Sequence, residues 1–223
     1  MRISELWRYP VKSLGGQRVT DLRLGPRGVI GDRAFALIDT RDKVLTAKRV
    51  PLLLHARARL RWGEVEIVLP TGIRVHSSDP AVDTILSTWL GRPVHLQADE
   101  GFVDESPLHL LTRASLHKAR EWHPKGAWEV RRFRPNIVLE GQENPTGTVD
   151  IGQARIHITG PCPRCVMVTH AQEGLPKDRA ILRTLTTHTA ATLGVYAEVK
   201  IPGQLSQGDQ ATPTPALTNA AAS

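Results

Sequence analysis

Turn-forming residues punctuate the first hundred positions so often that no ordinary helix fits between most of them. The intervening runs alternate apolar and polar residues, or are rich in Val, Ile and Leu. Short strands are therefore expected at 2–9, 19–24, 33–39, 44–47, 52–60, 65–69 and 73–76. Gly25-Pro26-Arg27-Gly28, Trp62-Gly63 and Thr71-Gly72 supply turns. Strands at this spacing point to a barrel or sandwich. A helix follows at 81–90, introduced by Ser78-Asp79-Pro80 and closed by Gly91.

After the turn-rich Ala98-Asp99-Glu100-Gly101, a short apolar run at 108–111 leads into a helix at 113–121 capped by Thr112. Strands are expected at 136–140, 148–151, 154–158, 166–169 and 195–201, with a helix within 177–193. Beyond Gly203 the polar, Pro- and Ala-rich sequence has no periodicity and is expected to lack structure. The fold class is mostly β with some α. Its expected parts are a β-barrel-like domain at 1–98, a second β-barrel domain at 99–202 and an unstructured tail at 203–223.

The 29 Lys and Arg outnumber the 22 Asp and Glu, giving a formal charge of +7 that favours anionic ligands. Nucleic acid is a poor candidate: aromatics make up 4%, no stacking motif occurs, and the basic residues are scattered. No apolar run is long enough to span a membrane, and the start lacks the apolar stretch of a secretory signal. A cytoplasmic location with no membrane partner is expected.

Both cysteines lie in Gly160-Pro161-Cys162-Pro163-Arg164-Cys165. A redox pair wants its first thiol at a helix N-terminus, and the following Val166-Met167-Val168-Thr169 reads as strand, which argues against it. Zinc could draw on Cys162, Cys165 and His170, but a fourth ligand is missing. One thiolate could instead bind a softer, cofactor-borne metal, with Arg164 favouring ionisation. Taken alone, the pair reads most simply as two small buried residues.

Five segments, in order, resemble the MOSC family, in the branch that contains the mitochondrial amidoxime-reducing components and their bacterial relatives. They are Leu6-Trp7-Arg8-Tyr9-Pro10-Val11-Lys12-Ser13, Gly28-Val29-Ile30-Gly31-Asp32-Arg33-Ala34-Phe35, Asp104-Glu105-Ser106-Pro107-Leu108-His109-Leu110-Leu111, Phe133-Arg134-Pro135-Asn136-Ile137-Val138 and Cys162-Pro163-Arg164-Cys165. The resemblance covers residues 1–202. It implies a molybdenum pyranopterin cofactor with Cys165 as both metal ligand and catalytic residue. Lys12, Ser13, Arg33, Ser106, Arg134, Asn136 and Arg164 fall on positions around the cofactor and its phosphate, an anion site of the pyridoxal phosphate-like kind.

The resemblance further implies reduction of small N-hydroxylated substrates by removal of oxygen. The alternative is a non-catalytic carrier of molybdenum cofactor or of sulfur. Two cysteines cannot hold an iron–sulfur cluster with four thiolates, so electrons would come from a separate ferredoxin-, flavoprotein- or cytochrome-type donor. Each position also has a plainer reading. Lys12 and Arg33 could be solvated charges, Arg134 could pair with Glu129, Ser13 and Ser106 could serve turns, and Asn136 could bond its own backbone. The chain departs from the family in three places. Pro163 stands where a serine is usual, Leu193-Gly194 replaces Phe-Gly, and residues 202–210 are a worn form of the closing strand. That wear implies an open barrel edge for a partner or a second copy to cover.

Overall fold

The computed structural model describes residues 1–99, 101–102 and 105–214. The first half runs β1 (Arg2–Arg8), β2 (Gln17–Val19), β3 (Asp21–Gly25), β4 (Gly28–Val29), β5 (Phe35–Asp39), β6 (Arg57–Arg61), β7 (Glu64–Val68), β8 (Arg74–His76), α1 (Val82–Leu90) and β9 (Val94–Ala98). The second runs β10 (Leu108–Thr112), α2 (Arg113–Trp122), α3 (Val130–Phe133), β11 (Ile137–Glu140), β12 (Thr148–Ile151), β13 (Ala154–Pro163), α4 (Arg179–Thr189), β14 (Thr192–Ile201), β15 (Gly203–Ser206) and β16 (Ala211–Pro213). The protein is mostly strand with a few helices.

An eight-stranded sheet forms the centre, ordered β16-β12-β13-β14-β10-β11-β1-β2. Its middle strand β10 is buried along its whole length, as its unbroken Leu-His-Leu-Leu-Thr run requires. β10 and β11 are parallel, and the crossover between them carries α2 and α3. β1 pairs antiparallel with β11, so residues from both halves share one sheet and one core of Ile3, Leu6, Leu110, Ile137, Ile156 and Leu205. A second core gathers Leu37, Leu53, Ile67 and Leu86 beneath the smaller sheets, and a third holds Leu116, Trp128, Phe133 and Leu185 beneath the helices.

The strand expected at 44–47 reduces to an isolated bridge between Val44 and Ile38, and three further expectations need correction. The strand expected at 52–60 begins as a 3-10 turn over Pro51–His55, with proline in its first turn and Leu53 and Leu54 buried. The run Val166–Thr169 is likewise a 3-10 turn, and the Thr169 hydroxyl donates to the Val166 carbonyl at 2.7 Å. The strand argument against a redox pair therefore fails, although a single short turn is no substitute for the helix such a pair uses.

The third correction concerns the tail, which is folded as far as residue 214. β15 pairs with β3 and β16 with β12, with Leu205 and Ala211 fully buried. The Asp209 carboxylate accepts from the Ser206 amide at 2.8 Å, while the Ile3 amide donates to the Asp209 carbonyl at 2.9 Å. The worn closing segment therefore docks on the main core. Residues 215–223, the remainder of the expected tail, lie outside the described residues. Among the described residues no helix is long and apolar enough to cross a membrane.

Candidate functional site

The segment that follows β1 turns sharply, and its backbone is the first wall of a cavity of about 490 Å³. Ser13 has a left-handed backbone (φ 69°), and its buried hydroxyl accepts from the Ala47 amide at 3.0 Å. Lys12 is held beside it, its Nζ donating to the Phe102 carbonyl at 2.9 Å. Arg33 is also left-handed (φ 49°) and pairs with Asp32, whose other oxygen accepts from the Tyr9 amide at 2.6 Å. At the end of α3, Arg134 is left-handed as well (φ 56°). Its guanidinium lies 4.3 Å from the Tyr9 ring centroid and donates to the Leu14 carbonyl. A non-glycine residue pays about 1–2 kcal/mol for this conformation, and three such residues border one cavity.

The far wall comes from β10, β13 and β14. Arg164 leaves β13 with its guanidinium pinned between carbonyls: Nη1 donates to Phe133 at 2.9 Å, and Nε to Leu193 at 3.1 Å. Its Nη2 reaches the Cys162 sulfur at 2.7 Å and His109 Nε2 at 2.5 Å. Cys162 is buried and Cys165 exposed, and both are free thiols that border the cavity. Burial pushes the Cys162 thiol pKa up, with Arg164 partly opposing it. Burial, then the Arg164 charge, holds His109 well below the usual histidine range, so its imidazole is neutral. Tyr196 is raised by burial and by its hydrogen bond to Cys162.

All eight residues singled out from the sequence border this cavity: Lys12, Ser13, Arg33, Ser106, Arg134, Asn136, Arg164 and Cys165. Like Lys12, Ser13, Arg134 and Arg164, Ser106 and Asn136 have polar groups engaged by backbone. Ser106 Oγ donates to the Ala197 carbonyl at 3.1 Å, while Asn136 Oδ1 accepts from the His109 amide at 3.3 Å and Nδ2 donates to the Trp7 carbonyl at 3.4 Å. Lys48 and His109 also border the cavity and were not singled out. His109 has a visible signal, a lone imidazole inside the apolar run Leu108–Leu111. Asp104 lies outside the described residues. His170 is not among the lining residues, and no three His, Cys, Asp or Glu side chains gather as a metal site among the described residues. The zinc reading thus has no geometric support.

Lys12, Arg33, Lys48, Arg132, Arg134 and Arg164 line the cavity together with a single carboxylate, Glu105. That surplus suits an anion, and Arg forks suit phosphate oxygens in particular. The exposed Cys165 thiol adds one soft donor able to complete the coordination of a metal brought in on a ligand.

Comparison with known proteins bears on what that ligand is. Residues 97–212 match the family model described as the MOSC domain, and residues 1–88 the one described as the MOSC N-terminal beta barrel domain. The human molybdenum cofactor sulfurase is 22% identical over 95% of this chain, which spans 32% of that protein. The chain thus spans about a third of the length of the sulfurase relatives it matches. Mitochondrial amidoxime reducing component 2 from Rattus norvegicus is 24% identical, with 93% of this chain and 81% of that protein covered. The solved YUAD protein from Bacillus subtilis shares the fold, with a TM-score of 0.55 at 11% identity over 96% of both chains.

Proposed function

The chain belongs to the MOSC family, and from that premise we propose that it binds molybdenum cofactor and reduces small N-hydroxylated compounds. The observation that carries the reading is an exposed thiol on a cavity bordered by six cationic side chains and one carboxylate. The donor set fits the group: Arg33, Arg134 and Lys12 would take its phosphate and pterin, and Cys165 its metal. When bound, the cofactor supplies a two-electron centre that removes oxygen from an N–O bond.

The rest is the work of this chain's own side chains. Arg164, fixed by three carbonyl bonds to Phe133 and Leu193, keeps its positive charge beside the thiols. Cys162 stays protonated and acts as packing behind it. His109, neutral, accepts from Arg164 without adding charge to an already cationic wall. Pro163 has neither N–H nor hydroxyl, so it offers the ligand no hydrogen-bond donor there. The electrons would come from a separate ferredoxin-, flavoprotein- or cytochrome-type protein, whose acidic face the basic surplus would attract.

The sulfurase relatives favour a second reading, a non-catalytic carrier of the cofactor or of sulfur. The test uses protein from a host that makes molybdenum cofactor, with Cys165→Ala alongside. Near-stoichiometric molybdenum together with turnover of an amidoxime by a chemical reductant, lost in the variant, is the expected result. Molybdenum without turnover would favour the carrier, and a parent without molybdenum would overturn both the enzyme and the cofactor carrier, leaving sulfur carriage alone.

A further inference from the structure

A second cavity, of about 410 Å³, shares Arg134 with the first but otherwise has walls of its own. Its chief wall is β6, whose Arg57-Ala58-Arg59-Leu60-Arg61 alternates so that three arginines share one face while Ala58 is buried on the other. Arg18 and Arg131 complete the basic lining. The single lining carboxylate, Glu173, is already taken by Arg57. Glu66, opposite Arg59 across the β6–β7 ladder, is taken by Arg74 at 3.3 Å. Arg18, Arg59, Arg61 and Arg131 thus make no ion pair with a carboxylate among the described residues.

Two residues of this wall carry buried polar atoms with no hydrogen-bond partner. Tyr9, 1% exposed, leaves its hydroxyl unpartnered, and Gln172, 8% exposed, its Nε2. A buried donor without a partner costs about 1–3 kcal/mol, which a ligand atom could recover. Gly16 lets the wall close: a Cβ there would stand 2.4 Å from the Tyr9 ring.

We propose that this cavity is a binding site for a diphosphate-class anion, either free or as the phosphate end of a nucleotide. Several guanidinium forks converging on one concave space match the many oxygens of linked phosphates, each fork able to bond two of them. The volume falls in the small-ligand range, and a recessed cavity with polar atoms in its wall suits a compact anion better than an acidic protein segment. The site stands independently of molybdenum.

The test follows the indole resonance of Trp7, which borders the cavity, in protein with 15N-labelled tryptophan, the peak being assigned through Trp7→Phe. Pyrophosphate and ADP are titrated separately. Saturable shifts are expected with both; a tighter fit for ADP would identify a nucleotide, and equal affinity a free diphosphate. The double variant Arg59→Gln/Arg61→Gln should weaken binding at least tenfold, and Gln172→Leu several-fold. Lys48→Gln, on the other cavity, should leave the Trp7 response unchanged. Equal binding by the Arg59→Gln/Arg61→Gln protein would overturn the proposal. So would a Trp7 peak that responds to polyglutamate but to neither phosphate, which would mark the cleft as a protein-docking surface.

Discussion

His109 is held between a strand core and a fixed guanidinium, and the result is a side chain that cannot readily take a proton. Its pKa in the fold is far below the ordinary value of 6.5, through burial and then Arg164. The unfolded chain therefore binds a proton that the folded chain refuses, and stability must fall as pH drops below about 6.5 and level off above it. The slope reaches at most about 1.4 kcal/mol per pH unit. Urea melts between pH 5 and 8 should show it, and His109→Gln should flatten that part of the profile whatever it does to stability at pH 8. Nearby, Gly194 has φ +77°, and a Cβ there would sit 2.3 Å from the Leu110 carbonyl and 2.6 Å from His109 Nε2. Gly194→Ala should cost roughly 3 kcal/mol or more, read as a lower denaturation midpoint, since both strain and clash are backbone-level. At this scale the sequence was read unevenly. Eight residues that border one cavity are found through motif likeness, whereas Lys48 lies outside every motif segment and His109 lies inside one without a role assigned to it. Nothing in local spacing says that residues 12, 33, 134 and 165 meet; only the folded chain does.

At the scale of elements, helix ends explain both what was legible and what was not. Thr112 caps α2 by accepting from the Ser115 amide, and Gly91 closes α1 in a left-handed conformation, both as the sequence suggested. α4 ends differently, on Ala190 at φ 50°. Ala190→Gly should stabilise the protein by about 1 kcal/mol, visible as a rise in Tm, because glycine adopts that backbone without a Cβ penalty. Asp178 caps the other end, accepting from the Ala180 amide at 2.8 Å and meeting His123 Nε2 at 2.9 Å. Asp178→Ala should lower stability by about 1 kcal/mol in the same melts. The elements misread were those whose apolar residues serve a turn. Leu53 and Leu54 are as buried as any strand residue, so hydropathy alone could not separate a 3-10 turn from a strand.

For the molecule as a whole, the decisive element is the one its composition concealed. Residues 203–213 are polar enough to pass for a tail, yet Leu205 and Ala211 complete the main core and the backbone bonds of Asp209 and Gly208 clasp Ile3. Leu205→Ala should cost about 2–5 kcal/mol, and a chain stopped at residue 202 should lose cooperative unfolding by calorimetry. Two buried side chains in eleven residues give no periodicity to detect, so this part of the fold was not legible locally. β12 and most of β14 were, because their apolar residues recur at strand spacing against clear turns.

β1 lies in the interior of the large sheet, and Ser4 donates to the Val138 carbonyl 134 positions away. During synthesis, residues 2–8 must wait for residues 137–140 to leave the ribosome before that ladder can form, and for residues 208–211 before it is clasped. Until then the apolar side of β1 has only partial cover. This protein should therefore fold late and in one step, after residue 211 has emerged, and a nascent chain arrested at residue 150 should be bound by holdase chaperones that release the chain once residue 214 has emerged.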